Sequence, residues 1–291
     1  MTLIRLIVKH RVAVFISLLA LTYRSSFAQT DEDNHLKIVT VIPVVASMTE
    51  ELVKGTNITV KLLPPLKYNI KRIPGWLERQ PSESYPIADA VIGISSIWSN
   101  VDAYPALRNQ NIAIIPIDIA QALIPKGERV AVLSSQGKVS SYFWLNPANA
   151  LVMLGILHRD LSLILDYKGN KGSKEEKQRL NANFAQMNKS LRQSQITFDN
   201  IIFNSESMLV IVNKPELKGL ASATLLPLVE RRDAIEDGLQ TLLVTNRKLH
   251  HSSLKELPDN IVIWSVDDFA KQRKGSFTER WKMNMKALPS N

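Results

Sequence analysis

Few side chains in this sequence combine chemical capability with grouping. Asp267-Asp268 places two carboxylates together, suited either to hold a cation or to cap a helix over residues 269–274. His250-His251 is an adjacent histidine pair, but consecutive residues of a helix do not face the same way. It therefore reads as solvated surface rather than a two-ligand metal site. His35 and His158 stand alone. In the stretch SYFWLNP (141–147), three aromatic rings run into Asn146-Pro147, and Tyr142 is the ring that carries an ionisable oxygen. On composition alone, Tyr142 is aromatic packing at a strand end. Basic residues are massed only at Lys67/Lys71/Arg72 and at residues 271–274. Cysteine is absent, which excludes thiolate metal sites, thiol catalysis and a lipid-modified N-terminal cysteine. There is no Gly-x-Ser-x-Gly, Walker loop, dinucleotide fingerprint or His-Glu-x-x-His, so enzymatic activity is not expected.

The elements that must position these groups follow a repeated pattern of short β-branched runs and amphipathic stretches. KIVTVIPVV (37–45) reads as a buried strand, followed by a helix over residues 47–54 with Ser47 as N-cap and Glu50 closing a capping box. NITVKLL (57–63) alternates Ile58, Val60 and Leu62, and ADAVIGI (88–94), NIAIIPI (111–117) and RVAVL (129–133) continue the series. In the second half, DNIIF (199–203), MLVIV (208–212), TLLVT (241–245) and NIVIW (260–264) read as strands, with helices over 225–239 and 277–288. Between the halves, Ser173 and Glu176 make a capping-box pattern. Leu180, Phe184, Met187 and Leu191 then form one apolar stripe, which predicts a long helix over 173–197 prefaced by a turn at 168–172. Strands alternating with helices imply parallel βαβ units. The expected fold is therefore α/β, with two lobes of parallel sheet flanked by helices and joined by one long bridging helix. The lobes would span 36–172 and 198–291.

The first 28 residues differ in kind. Arg5, Lys9 and Arg11 precede an uncharged apolar run over 12–22, and Ser26-Phe27-Ala28 offers small residues where a signal peptidase reads. The run is short for a membrane span and suits a secretory leader cleaved after Ala28. The remainder is then expected to be soluble, without a transmembrane segment, and periplasmic or secreted. The formal net charge is +9 over 291 residues with mean hydropathy −0.04. Arg5, Lys9, Arg11 and Arg24 belong to the leader, and no acidic residue accompanies them. With neither a basic face nor a recognition motif, nucleic acid is not an expected partner.

The order of motifs resembles the periplasmic solute-binding proteins of zinc and manganese ABC transporters. LLPPLKYNIKRIP (62–74) is similar to that family's Leu-x-Pro-Pro segment and the proline that follows it. Tyr142-Phe-Trp144-Leu-Asn-Pro147 is similar to its His-x-Trp-Leu-x-Pro. Leu180-Asn-Ala-Asn183-Phe184 resembles its bridging-helix pattern, and Asn284 resembles an asparagine of its last helix. The resemblance runs from about Lys37 to Leu288 and implies two lobes with a metal held between them by four ligands. Carried over one at a time, the first ligand falls on Ile70 and the second on Tyr142. The third, after the strand that opens the second lobe, falls near Asn204, or on Glu206 if the loop shifts. The fourth falls on Asp267 or Asp268.

Ile70 offers no donor atom, an unperturbed phenol with pKa ~10 ligates poorly, and a carboxamide is a weak neutral ligand. Asp267 is the one matching ligand type, so no metal cofactor is expected. The resemblance implies an exported solute-binding protein with its metal site largely lost, and an aromatic-lined cleft for a small solute or a metal chelate. Lys67, Lys71 and Arg72 would be a solvated loop or the cleft's charged mouth. An ABC permease is the implied partner, and a monomer is expected. Two alternatives stand beside this reading. One is a functional zinc or manganese carrier whose site is rearranged around Glu206 and Asp267. The other is a non-transport periplasmic interaction module.

Overall fold

A computed structural model describes residues 35–135, 138–139, 142–168, 173–247, 249 and 257–289. The leader with its cleavage site after Ala28, His250-His251 and the turn residues 169–172 lie outside the described residues. From Leu36 onward the chain forms one compact unit.

The first half is built on a parallel sheet in the order β2-β1-β3-β4, comprising β1 (Leu36–Thr40), β2 (Ile58–Leu62), β3 (Ala90–Gly93) and β4 (Ile115–Asp118). The apolar run 37–45 is divided between β1 and helix α1 (Pro43–Leu52). Pro43 sits in the first helical turn, where a missing N–H costs nothing and φ is preset. Helix α1 thus begins well before the expected cap at Ser47, which lies buried inside it. Two short helices follow, α2 (Ile73–Leu77) and α3 (Tyr104–Gln110). RVAVL (129–133) does not form a strand. The Ala131 amide and carbonyl both bond the Asn149 side chain, and the Val130 amide bonds the Ala120 carbonyl, so no sheet partner is needed. A two-residue hairpin, β5 (Ser134–Ser135) and β6 (Lys138–Val139), stands nearby instead.

Two long antiparallel-neighbour helices connect the halves, α4 (Pro147–Lys168) and α5 (Ser173–Asn204), and they pack along each other. By length and composition, residues 147–167 could cross a membrane, yet Leu154, Leu157 and Leu161 are fully buried in the protein core. The stripe foreseen on α5 is present: Leu180, Met187 and Leu191 are buried, and Phe184 stacks on His158 at 4.1 Å. Glu176 accepts the Asn57 amide at 2.7 Å, and Asn183 donates to the carbonyls of Leu52 and Lys54, closing the end of α1.

Helix α5 continues through 199–203, where the apolar run predicts a strand. Short apolar runs do not distinguish a buried strand from a buried helix. Here Phe198 is buried against Trp264 at 5.7 Å, Ile201 and Ile202 extend the same face, and the turn closes through Ser205 onto the Ile202 carbonyl.

The second sheet is parallel in the order β7-β8-β9, comprising β7 (Leu209–Val212), β8 (Thr241–Thr245) and β9 (Ile261–Ser265). The expected helix over 225–239 is not continuous. Helix α6 (Lys218–Ala223) ends before it, Leu225 has φ +61, and Pro227 opens a segment that bonds alongside Val210. Only α7 (Arg231–Asp237) is helical there. Helix α8 (Phe277–Lys286) closes the fold behind a full capping box of Ser276 and Glu279.

Alternation along β7 and β8 divides the second sheet between two packings. Leu209, Ile211 and Leu243 face a small outer cluster with Ala234 and Ile261. Val210, Leu242, Val244 and Trp264 face the other way, into a core continuous with β1, β3, α4, α5 and α8.

Candidate functional site

In open parallel sheets the loops at the carboxyl ends of the strands converge on one side, and ligands bind there. Such loops from both halves meet here around a cavity of about 380 Å³, a size suited to a small molecule. After β2 come Asn69, Lys71 and Arg72, and ahead of α4 comes Tyr142. After β7 come Lys214 and Glu216, after β8 come Asn246 and Arg247, and after β9 come Asp268, Lys271 and Arg273.

Four bonds cross between the halves at its floor. The Ile70 amide donates to the Ala270 carbonyl at 2.9 Å, and the Tyr142 amide donates to the Glu216 carbonyl at 2.8 Å. The Trp144 indole donates to the Asp268 carbonyl at 2.9 Å, and Lys71 pairs with the Glu216 carboxylate.

Tyr142 lines the cavity. Its ring stacks on Trp144 at 4.7 Å and 16° and is 2% exposed, so packing and cleft lining hold together. Burial, then the negative charges of Asp268 and Glu216, push its phenol well above the ordinary tyrosine range. The hydroxyl stays protonated near neutrality and faces a ligand as a neutral group, not as a phenolate.

Ile70 is buried beneath the cavity, and its neighbours Asn69, Lys71 and Arg72 line it. Asp267 is committed elsewhere. Its carboxylate takes Arg280 Nε at 2.8 Å, Arg280 Nη2 at 3.0 Å and the Phe269 amide at 3.0 Å. Burial alone would raise its pKa; the Arg280 hydrogen bonds and charge, the Phe269 amide and Arg273 outweigh that and hold it below the usual carboxylate range. Asp268, one residue on, is the carboxylate that faces the cavity. It accepts Asn246 Nδ2 at 2.8 Å and the Ala270 amide at 3.0 Å.

Asn204 and Glu206 are exposed and do not line the cavity. Both precede β7 and lie at its amino end, whereas the cavity loops follow its carboxyl end, ~10 Å away along the strand at ~3.3 Å per residue. Their placement beside the site followed from reading 199–203 as the strand that opens the second half. That strand is β7, and the residue following it is Asn213, whose buried Oδ1 has no hydrogen-bond partner.

Two groups of cations, Lys71/Arg72 and Lys271/Arg273, lie far apart in sequence yet line the same cavity, joined by Lys214 and Arg247. Among the described residues, their only acidic companions in the lining are Glu216 and Asp268. The expected aromatic-lined cleft is thus replaced by a polar, charged one, with Tyr142 its only aromatic lining among the described residues. The massing of Lys and Arg at these two places was the sequence signal; Lys214, Arg247 and Glu216 carried none. Among the described residues, no three His, Asp or Glu side chains are grouped as a metal ion would need.

No protein-family model matches the chain, and no curated protein matches its sequence. Solved structures do match its fold. A zinc-bound deletion mutant of ZnuA superposes with TM-score 0.56 at 15% identity, covering 89% of this chain and 99% of that one. The metal-dependent lipoprotein YcdH from Bacillus subtilis gives TM-score 0.59 at 13% identity, covering 87% and 98%. An FpvC mutant from Pseudomonas aeruginosa gives TM-score 0.62 at 13% identity, covering 87% and 99%. The chain shares the two-lobed architecture of these proteins over nearly its whole described length.

Proposed function

We propose that this protein is an exported solute-binding component of an ABC-type importer whose inter-lobe cleft receives a solute other than a bare divalent cation. The fold shared with zinc-bound ZnuA and with YcdH supports a binding role over a catalytic one. The observation that carries the second half of the reading is the lining itself, six Lys and Arg against two carboxylates among the described residues. A bare Zn²⁺ or Mn²⁺ entering that cavity meets net like charge, a protonated phenol and no set of three ligands, which is the reverse of what either ion requires. The leader read from the first 28 residues supports export, and the fold supports a permease as partner.

Zinc and manganese titrations of the purified protein, with elemental analysis, test this. The expected result is far less than one ion per chain and no shift in melting temperature. An ion held stoichiometrically would overturn the reading, because a ligand present at 100 times its Kd adds ~2.7 kcal/mol to stability and would be plainly visible.

A further inference from the structure

We propose that the solute is a small multiply charged oxyanion, rich in carboxylate or phosphate oxygens, and that Glu216 is a built-in substitute anion from which the solute draws Lys71 away. This rests on the reading of the cleft as a solute site and names the chemistry of its occupant.

Among the described residues the lining carries four more positive than negative charges, since Glu216 and Asp268 offset two of six. All of them line the same cavity, and groups closer to one another than the Debye length, ~8 Å at physiological salt, are only partly screened. Neither carboxylate is free to serve the remaining cations. Asp268 is held by Asn246 and the Ala270 amide. Glu216 is buried, and its backbone carbonyl is pinned by the Tyr142 amide, so its carboxylate stays beside Lys71. Lys214, Arg247 and Lys271 pair with no carboxylate among the described residues, and Arg273 lies 3.9 Å from an Asp267 already taken by Arg280.

Three of the six cations are arginines, whose planar forks match carboxylate and phosphate oxygens two at a time. A singly charged solute would leave most of the repulsion in place; one with two to four negative charges removes it. Lys71 is 60% exposed while Glu216 is 11% exposed, so the lysine end of the pair can turn to an incoming anion and the glutamate end cannot leave. The same chemistry could arrive as a free polycarboxylate, as phosphate, or as the outer carboxylates of an anionic metal chelate.

Calorimetric and thermal-shift titrations of the purified protein with citrate, inorganic phosphate and ferric citrate separate these sources, with sodium chloride at matched ionic strength as control. We expect saturable binding of at least one probe, weakening steeply as salt rises. An Arg247→Gln/Lys271→Gln variant, altered at two exposed positions, should bind that probe at least tenfold more weakly. Glu216→Gln should bind it about three- to tenfold more tightly, because the probe no longer competes with an internal anion. Should Glu216→Gln fail to fold, Lys71→Gln supplies the opposite test and should weaken binding.

Binding of citrate alone, phosphate alone or the chelate alone each identifies the source and supports the proposal. A shift equal to the chloride control for all three overturns it, as does a Glu216→Gln variant that binds no more tightly than the parent. Those failures leave the solute-binding reading intact if neither metal binds, whereas stoichiometric zinc or manganese removes that reading itself.

Discussion

Replacing Asp267 by asparagine separates a structural carboxylate from a metal ligand. The Arg280 side chain is 5% exposed and forms its two shortest bonds to Asp267. Asparagine keeps the size and one acceptor oxygen but leaves the guanidinium without a counter-charge. Breaking a buried pair in this way costs ~3–5 kcal/mol. Arg280 retains the Lys271 carbonyl at 3.3 Å and the Phe269 ring at 4.2 Å, which places the loss near the lower end, ~3 kcal/mol. At ~2.1 cal/mol/K per residue over roughly 250 residues, unfolding entropy is ~0.5 kcal/mol/K, so the melting temperature should fall by about 6 °C.

The double variant Asp267→Asn/Arg280→Met should recover part of that loss, since the stranded charge is gone. The pH dependence has a definite sign. A carboxyl whose pKa is depressed on folding contributes stability that is fully present above its unfolded value, ~3.9, and lost as the pH falls through the folded value. Wild type should therefore begin to lose its advantage over Asp267→Asn as the pH falls below about 4. Thermal melts read by circular dichroism across pH 3–7 measure all of this. A neutral-pH change under ~1 °C, or a double variant less stable than the single, would refute the assignment of Asp267 to Arg280.

Trp144→Phe should cost ~2–4 kcal/mol, through lost volume and an unsatisfied Asp268 carbonyl, seen as a lower urea midpoint with unchanged slope. Asn183→Ala removes both bonds to the carbonyls that end α1; a loss of ~1–3 kcal/mol is expected, with faster amide exchange confined to the end of α1 and the turn after it.

The parallel α/β architecture was legible because short apolar runs such as Thr241–Thr245, and the alternation of Ile58, Val60 and Leu62, coincide with the strands. The stripe Leu180, Met187 and Leu191 likewise declared a helix. Where the reading went wrong, tertiary contacts decided. Ile201 and Ile202 are as good in a strand as in a helix until Phe198 meets Trp264. Pro43 outranked Ser47 as a helix start, and in place of a sheet Val130 found the Ala120 carbonyl and Ala131 the Asn149 side chain. The site was partly legible. Tyr142 lies in the cleft, and the two basic groups were noticed but not joined, because only the return of the chain after β9 brings Lys271 and Arg273 beside Lys71 and Arg72. Asn204 was misplaced by the strand error, and Asp267 and Asp268 could not be told apart until Arg280 claimed the first.

The apolar interior that runs unbroken from β1 through α5 to Trp264 bears on how this fold can be dissected. A break in the chain after Asn204 would strand the Phe198 ring on one fragment and its Trp264 partner on the other, each wet on a surface built to be dry. Chimeras that trade one half for that of a distant relative must therefore carry α5 and α8 together with the second sheet, or the joined pieces will clump before they can close.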